Sequence, residues 1–180
     1  MPIVDRDSTY PNCQIVTRII YLGGRSGAEL LEDLKTAGVE INELGLRLLS
    51  SGAFKATDTR RPLLTAELAI RNLGLPHGAT TSEIFRIATG LGLSLCPMEL
   101  GPYLRLQYLD QPEGFFGQPI YQHRAPPGSV TVASECPAED DDFPNGFYLR
   151  CIKGALWLRG YRSDAQHVWD PDDHLVFYKP

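Results

Sequence analysis

The sequence predicts an α+β fold: a helix-rich N-terminal half packed with a mainly antiparallel C-terminal sheet. Three observations carry this. Capped helical stripes occupy residues 26–52 and 80–92. Strand-like alternation and proline-rich loops dominate from Leu93 onward. A Lys153-Gly154 pair separates two alternating runs at the spacing of a two-residue hairpin turn. Helices followed by strands is an α+β order. At 180 residues the chain suits a single domain 1–180, read as a helix-rich subdomain 1–92 and a β-rich subdomain 93–180.

Residues 14–22 are rich in β-branched side chains and predict a strand. Ser26 and Glu29 form a capping box, in which the serine accepts from an early helix N–H and the glutamate reaches back. Leu30, Leu31, Leu34 and Ala37 follow with helical spacing, and Gly38 is placed to stop the helix. Asn42 caps a second helix carrying Leu44, Leu48 and Leu49. Residues 63–71 are two-sided: Leu64, Ala66, Leu68 and Ile70 alternate as in a strand, while the Leu, Ala and Glu content and Gly74 suit a helix. A strand is the expectation. Thr80 and Glu83 make another capping box before the stripe Ile84, Ile87, Ala88 and Leu91.

In the C-terminal half, residues 103–110, 147–152 and 155–161 read as strands, with shorter ones at 129–134 and 175–178. Period-2 alternation puts Leu104, Leu106 and Tyr108 on one face of the first, and Tyr103, Arg105 and Gln107 on the other. The Lys153-Gly154 turn pairs Ile152 with Ala155, Arg150 with Trp157, Leu149 with Leu158 and Tyr148 with Arg159. One face of the hairpin is then leucine. The other alternates guanidinium groups and rings.

Charge excludes some function classes. The formal net charge is −5. Residues 1–92 hold ten Lys/Arg against ten Asp/Glu, and residues 93–180 seven against twelve. The half with the arginine face is the acidic half, and without a basic run nucleic acid is not the expected partner. No apolar stretch reaches the ~20 residues of a membrane span, and the first residues lack a secretory signal, so the expected location is the cytoplasm. Cys13, Cys96, Cys136 and Cys151 form no CxxC pair, which argues against a zinc ribbon or a redox motif. No cofactor is implied.

Other constellations carry less. His167, Asp170 and His174 lie in a segment with two imidazoles and three carboxylates, and could serve a metal-assisted hydrolase. Asp170-Pro171-Asp172-Asp173 is equally a turn sequence, and we expect neither a metal site nor catalytic residues. Gly23-Gly24-Arg25-Ser26-Gly27 precedes a helix but is not GxxxxGK[ST]. Ser94, Ser129, Cys96 and Cys136 have His77, His123, His167 and His174 as conceivable bases, but no nucleophile signature surrounds them. Residues 111–128 form a long Pro/Gly-rich connection whose polar groups, Arg124 included, could overhang the arginine face.

Gly78-Ala-Thr80, Glu83-Ile-Phe85 and Leu91-Gly-Leu-Ser-Leu-Cys-Pro-Met-Glu-Leu-Gly-Pro-Tyr-Leu-Arg-Leu-Gln-Tyr108, continuing into Asp110-Gln-Pro112, resemble an uncharacterised family of small bacterial proteins. Phe147-Tyr-Leu-Arg150 and Leu156-Trp-Leu-Arg-Gly-Tyr161 look like that family's C-terminal part. Some members carry a "helicase" label. This chain has no Walker A lysine, no nucleotide-binding loop and not the length of a helicase core, so the resemblance implies no catalytic residue.

The expected function is nonenzymatic binding of a small anionic or planar ligand, or of a protein, at Arg105, Gln107, Arg150, Trp157, Arg159 and Tyr161, with Arg124 from the loop. Arginine offers a planar fork of donors and tryptophan a stacking surface. The alternatives are the metal-assisted hydrolase and a self-associating structural protein with the aromatic face as its interface.

Overall fold

A computed structural model describes residues 7–115 and 126–180. Its centre is a seven-stranded sheet in the order β1-β3-β9-β5-β6-β7-β2. In chain order the elements are β1 (Val16–Leu22), α1 (Gly27–Thr36), β2 (Glu40–Ile41), α2 (Glu43–Ser50), β3 (Arg61–Ala69), β4 (Ala79–Thr80), α3 (Thr81–Gly90), α4 (Leu100–Gln107), β5 (Val130–Val132), β6 (Gly146–Ile152), β7 (Ala155–Tyr161), β8 (Val168–Trp169) and β9 (His174–Tyr178). A 3₁₀ turn, Ile70–Leu73, follows β3, and β4 pairs with β8 as a separate ribbon.

The α+β class holds, with two corrections. The sheet is mixed: β5 runs parallel to β9, and β2 parallel to β7. It also draws β1, β2 and β3 from the N-terminal half, while α4 lies beyond position 92. The long-range pairing of β3 with β9 (Ala66 opposite Phe177, Leu68 opposite Leu175) carries the sheet across the expected subdomain boundary.

Both faces of the sheet are covered. On one, Leu30 and Leu34 of α1, Leu48 and Leu49 of α2, and Leu100 and Leu104 of α4 pack with Ile20, Leu63, Val132, Leu149, Leu158 and Val176. On the other, Ile84 and Ala88 of α3 and Trp169 of β8 pack with Ala66, Leu68, Leu175 and Phe177. Residue alternation sends adjacent positions of one strand to opposite cores, as with Val176 and Phe177. Burial on both faces is why residues 63–71 resist a reading from one-sided alternation.

Local chemistry accounts for the helix starts. The Ser26 hydroxyl accepts from the Glu29 N–H at 3.3 Å while Glu29 accepts from the Ser26 N–H at 2.8 Å, so the capping box is complete. Asn42 Oδ1 accepts from Gly45 at 2.9 Å. Thr80 caps α3 through its backbone only; its hydroxyl instead meets Ser82 at 3.3 Å, so the expected second capping box does not form.

The largest correction concerns residues 103–110. They are not a strand: Leu100–Gln107 is helix α4. Leu100, Tyr103 and Leu104 recur at i, i+3 and i+4 and enter the core shared with α1 and α2. Pro102 stands in the first turn, where a missing N–H costs no helical bond. Gly101 lets the helix lie on β6, since a Cβ there would fall 2.6 Å from the Phe147 ring. The alternation of Leu104, Leu106 and Tyr108 is therefore incidental.

Candidate functional site

The hairpin forms in the expected register, with Arg150 opposite Trp157, Leu149 opposite Leu158 and Tyr148 opposite Arg159. Lys153 and Gly154 both have positive φ (53° and 73°), the requirement of a type I′ turn. The turn's outward amides are not left to water. Glu113 accepts from the N–H groups of Lys153 and of Gly154, the latter at 3.1 Å. These bonds, the Gly154 one foremost, hold the Glu113 carboxyl below its usual range.

The outer face of this hairpin is a guanidinium–ring array. Trp157 lies beneath two cations, with the guanidinium carbon of Arg159 5.0 Å and that of Arg150 5.6 Å from its ring centre. Burial lowers the pKa of Arg150, Tyr148 opposes that shift, and Arg159 beside it lowers it further. Arg159 Nε is removed from solvent and has no hydrogen-bond partner among the described residues. Tyr161 meets Tyr148 edge-on at 6.3 Å and Trp169 at 5.7 Å, and burial raises its pKa. Tyr148, Arg150, Trp157, Arg159 and Tyr161 are all half-buried, so the face is part surface and part core.

Arg105 and Gln107 are not on this face. Both belong to α4, which packs on the opposite side of the sheet. Arg105 is 0% exposed. Its guanidinium donates to Gln111 Oε1 at 2.5 Å, to the Trp157 carbonyl at 3.4 Å and to the Tyr108 carbonyl. Gln111 in turn donates to the carbonyls of Gly128 (3.1 Å) and Leu149 (3.2 Å). Arg105 therefore ties α4, the start of the long connection and β7 together. Gln107 clamps the edge strand β1: its amide accepts from the Tyr21 N–H at 3.0 Å and donates to the Tyr21 carbonyl at 2.8 Å, closing backbone groups that an edge otherwise leaves open. Arg124 and His123 lie outside the described residues.

The His167, Asp170 and His174 side chains, which the alternative hydrolase reading would use, are not brought together. His167 packs edge-on against Trp169 at 5.2 Å. Asp170 accepts from the Asp172 N–H at 2.9 Å in a turn, and His174 pairs elsewhere. Among the described residues no group of three His, Cys, Asp or Glu side chains is placed to hold a metal ion. Gly23 is an architectural glycine, with φ 101° and a Thr59 carbonyl 2.2 Å from where a Cβ would stand.

His174 belongs to a constellation that sequence reasoning missed. Glu67 on β3 is only 7% exposed, receiving Arg18 Nη1 at 2.6 Å and standing 3.0 Å from His174 Nδ1. Arg18 also lies over the Tyr108 ring at 4.1 Å. Burial pushes the Glu67 carboxyl up, but the bonds from His174 and Arg18 outweigh it, and the net pKa is lowered. The signal was a lone carboxylate inside the apolar run 63–69. Because the lowered pKa belongs to the folded state, the unfolded chain binds the proton more readily as pH falls. The Glu67 contribution is full above the ordinary glutamate value of 4.5 and is lost as the pH drops through the lowered value. Urea midpoints measured at descending pH should fall steeply below that point in the parent protein and more shallowly in Glu67→Gln.

No family model, curated protein or solved structure matches the chain. Among the described residues no helix is long and apolar enough to cross a membrane.

Proposed function

We propose that the chain is a nonenzymatic binding protein that holds a small planar anion on the outer face of the β6–β7 hairpin. The observation behind this reading is the Arg159 guanidinium: it rests on Trp157, and its Nε is withdrawn from water with no acceptor among the described residues. A buried donor without an acceptor costs about 1–3 kcal/mol. A ligand oxygen held by the half-buried guanidinium would give it a charged acceptor, and Arg150 on the same ring adds a second positive charge. Cross-strand cation–π pairing contributes about 0.5–1 kcal/mol per contact, and it explains why the rings are there without satisfying the donor. The arginine fork would take a carboxylate or phosphate, and the indole would stack on the planar part. Arg150, Trp157 and Arg159 carry this reading, with Tyr161 fixing the floor against Trp169. The family resemblance adds no residue to it.

Phenyl phosphate tests it, with tryptophan fluorescence as the readout. The expected result is a saturable change, weakened about tenfold or more in Arg159→Ala, as loss of a charged hydrogen bond requires. Arg150→Ala/Arg159→Ala should lose it altogether, while Gln107→Ala, on the far side of the sheet, should keep it. Equal affinity in the folded double variant and the parent sinks the reading.

A further inference from the structure

A cleft of 660 Å³ lies where the chain after α2, the α3–α4 connection and the chain after β5 meet the end of β9. It shares no residue with the hairpin face, and its volume is in the range of small-molecule sites. Three features fix its chemistry.

The first is an apolar lining that is held in place. Leu63, Leu95, Pro97 and Met98 supply it, with the half-buried ring of Tyr178. Ser94 and Tyr178 exchange two backbone hydrogen bonds at 2.8 Å, and the Cys96 N–H donates to the Ala133 carbonyl at 2.7 Å. The α3–α4 connection is thus stitched to β9 and to the end of β5, and the Ser134 hydroxyl meets Met98 Sδ at 3.8 Å. A preformed wall spares a ligand the cost of ordering it. The lining is mainly aliphatic, and methionine adapts to varied shapes.

The second is a pair of cations without counterions. Lys55 and Arg61 line the cleft, both are exposed, and neither has a hydrogen-bond, ion-pair or ring partner among the described residues. The third is the balance of charge. Glu135 is the only acid among the described lining residues, so two positive charges stand against one negative in a chain of net charge −5. Glu99, beside Met98, does not line the cleft. It is wholly buried, and its carboxylate accepts from the Thr57 N–H at 3.0 Å and the Thr57 hydroxyl at 2.8 Å, which anchors the segment carrying Lys55. An anion is attracted to the cleft and a cation repelled.

We infer that this cleft binds a free aliphatic carboxylate, whose head is held by Lys55 and Arg61 and whose chain lies along Leu63, Leu95 and Met98. Two unpaired cations beside an apolar lining match the two ends of such a molecule. Exposed charges contribute little affinity but set the sign, and buried methylenes supply the rest.

Octanoate is the probe, octylammonium the control of equal length and opposite charge, and the full chain the receptor. The chain has two methionines, Met1 and Met98, so the Met98 ε-methyl NMR signal reports on the cleft directly. Octanoate should shift it saturably, with a dissociation constant of about millimolar order for so few atoms. Octylammonium should bind about tenfold more weakly or not at all. Lys55→Gln/Arg61→Gln should weaken octanoate about fivefold or more at an unchanged urea midpoint, because both side chains are exposed and unpaired. Glu135→Gln should tighten it. Added salt should weaken it in the parent protein, because exposed charges are screened. No saturable shift, comparable binding of octylammonium, unchanged affinity in the folded double variant, weaker binding in Glu135→Gln, or binding that holds as salt rises overturns the site. Arg150→Ala/Arg159→Ala should bind octanoate as the parent does, so failure of one site leaves the other standing.

Discussion

Arg105→Ala should lower the unfolding free energy by about 4 kcal/mol, read from urea midpoints at unchanged slope. The side chain is wholly enclosed, and truncation leaves a cavity between α4 and the sheet. It also strips the Tyr108 and Trp157 carbonyls and Gln111 Oε1 of a donor. Arg105→Met should cost about half as much, since it keeps the volume and removes a charge that no described carboxylate balances. Burial pushes the Arg105 pKa down to about 10. The unfolded chain thus holds this proton more tightly, and ionised Arg105 opposes folding at neutral pH. Its return is connection: one group fastens the helix to β7 and to the loop root at Gln111. Were Arg105 a ligand residue, Arg105→Ala would keep its stability and lose affinity; the reverse is expected.

The hairpin was readable because its information is local. Two positive-φ positions select the turn, the turn sets the register, and the register puts every leucine on one side and every guanidinium on the other. The helix caps at Ser26 and Asn42 were readable for the same reason. What failed was placement decided by distant partners. Over residues 103–107 the two periods overlap: Leu104 and Leu106 alternate, while Leu100, Tyr103 and Leu104 form a helical stripe. The deciding contact, Gly101 against the Phe147 ring, spans 46 positions of sequence. Once that run is helix, Arg105 and Gln107 leave the arginine face. The Glu67–His174 pair was hidden differently: its partners come from strands 107 residues apart, joined by the β3–β9 ladder. Neither residue stands in a local motif.

Asn42→Ala should cost about 3 kcal/mol, combining a lost helix cap with two lost hydrogen bonds. Its amide serves α2 and β7 at once. Oδ1 accepts from Gly45 at 2.9 Å and from the Gly160 N–H at 2.8 Å, while Nδ2 donates to the Gly160 carbonyl at 2.9 Å. This clamp continues the short parallel β2–β7 ladder, which ends at Ile41 opposite Leu158. Gly160→Ala strikes the same contact from the other side, because a Cβ there would fall 2.5 Å from the Leu44 carbonyl carbon and 2.7 Å from the Gly45 nitrogen. Both obstacles are backbone and cannot rotate away, so overpacking of about 3 kcal/mol is expected. Displacing α2 from β7 breaks the Asn42 bonds as well. The double variant should therefore lose clearly less than the two single losses added, the coupling of residues that share one contact. Strict additivity in thermal or urea unfolding would mean that the Asn42 clamp and the close approach at Gly160 are independent. The helix would then rest on β7 through its leucines alone, and Arg159, one residue from Gly160, would not depend on α2 for its position.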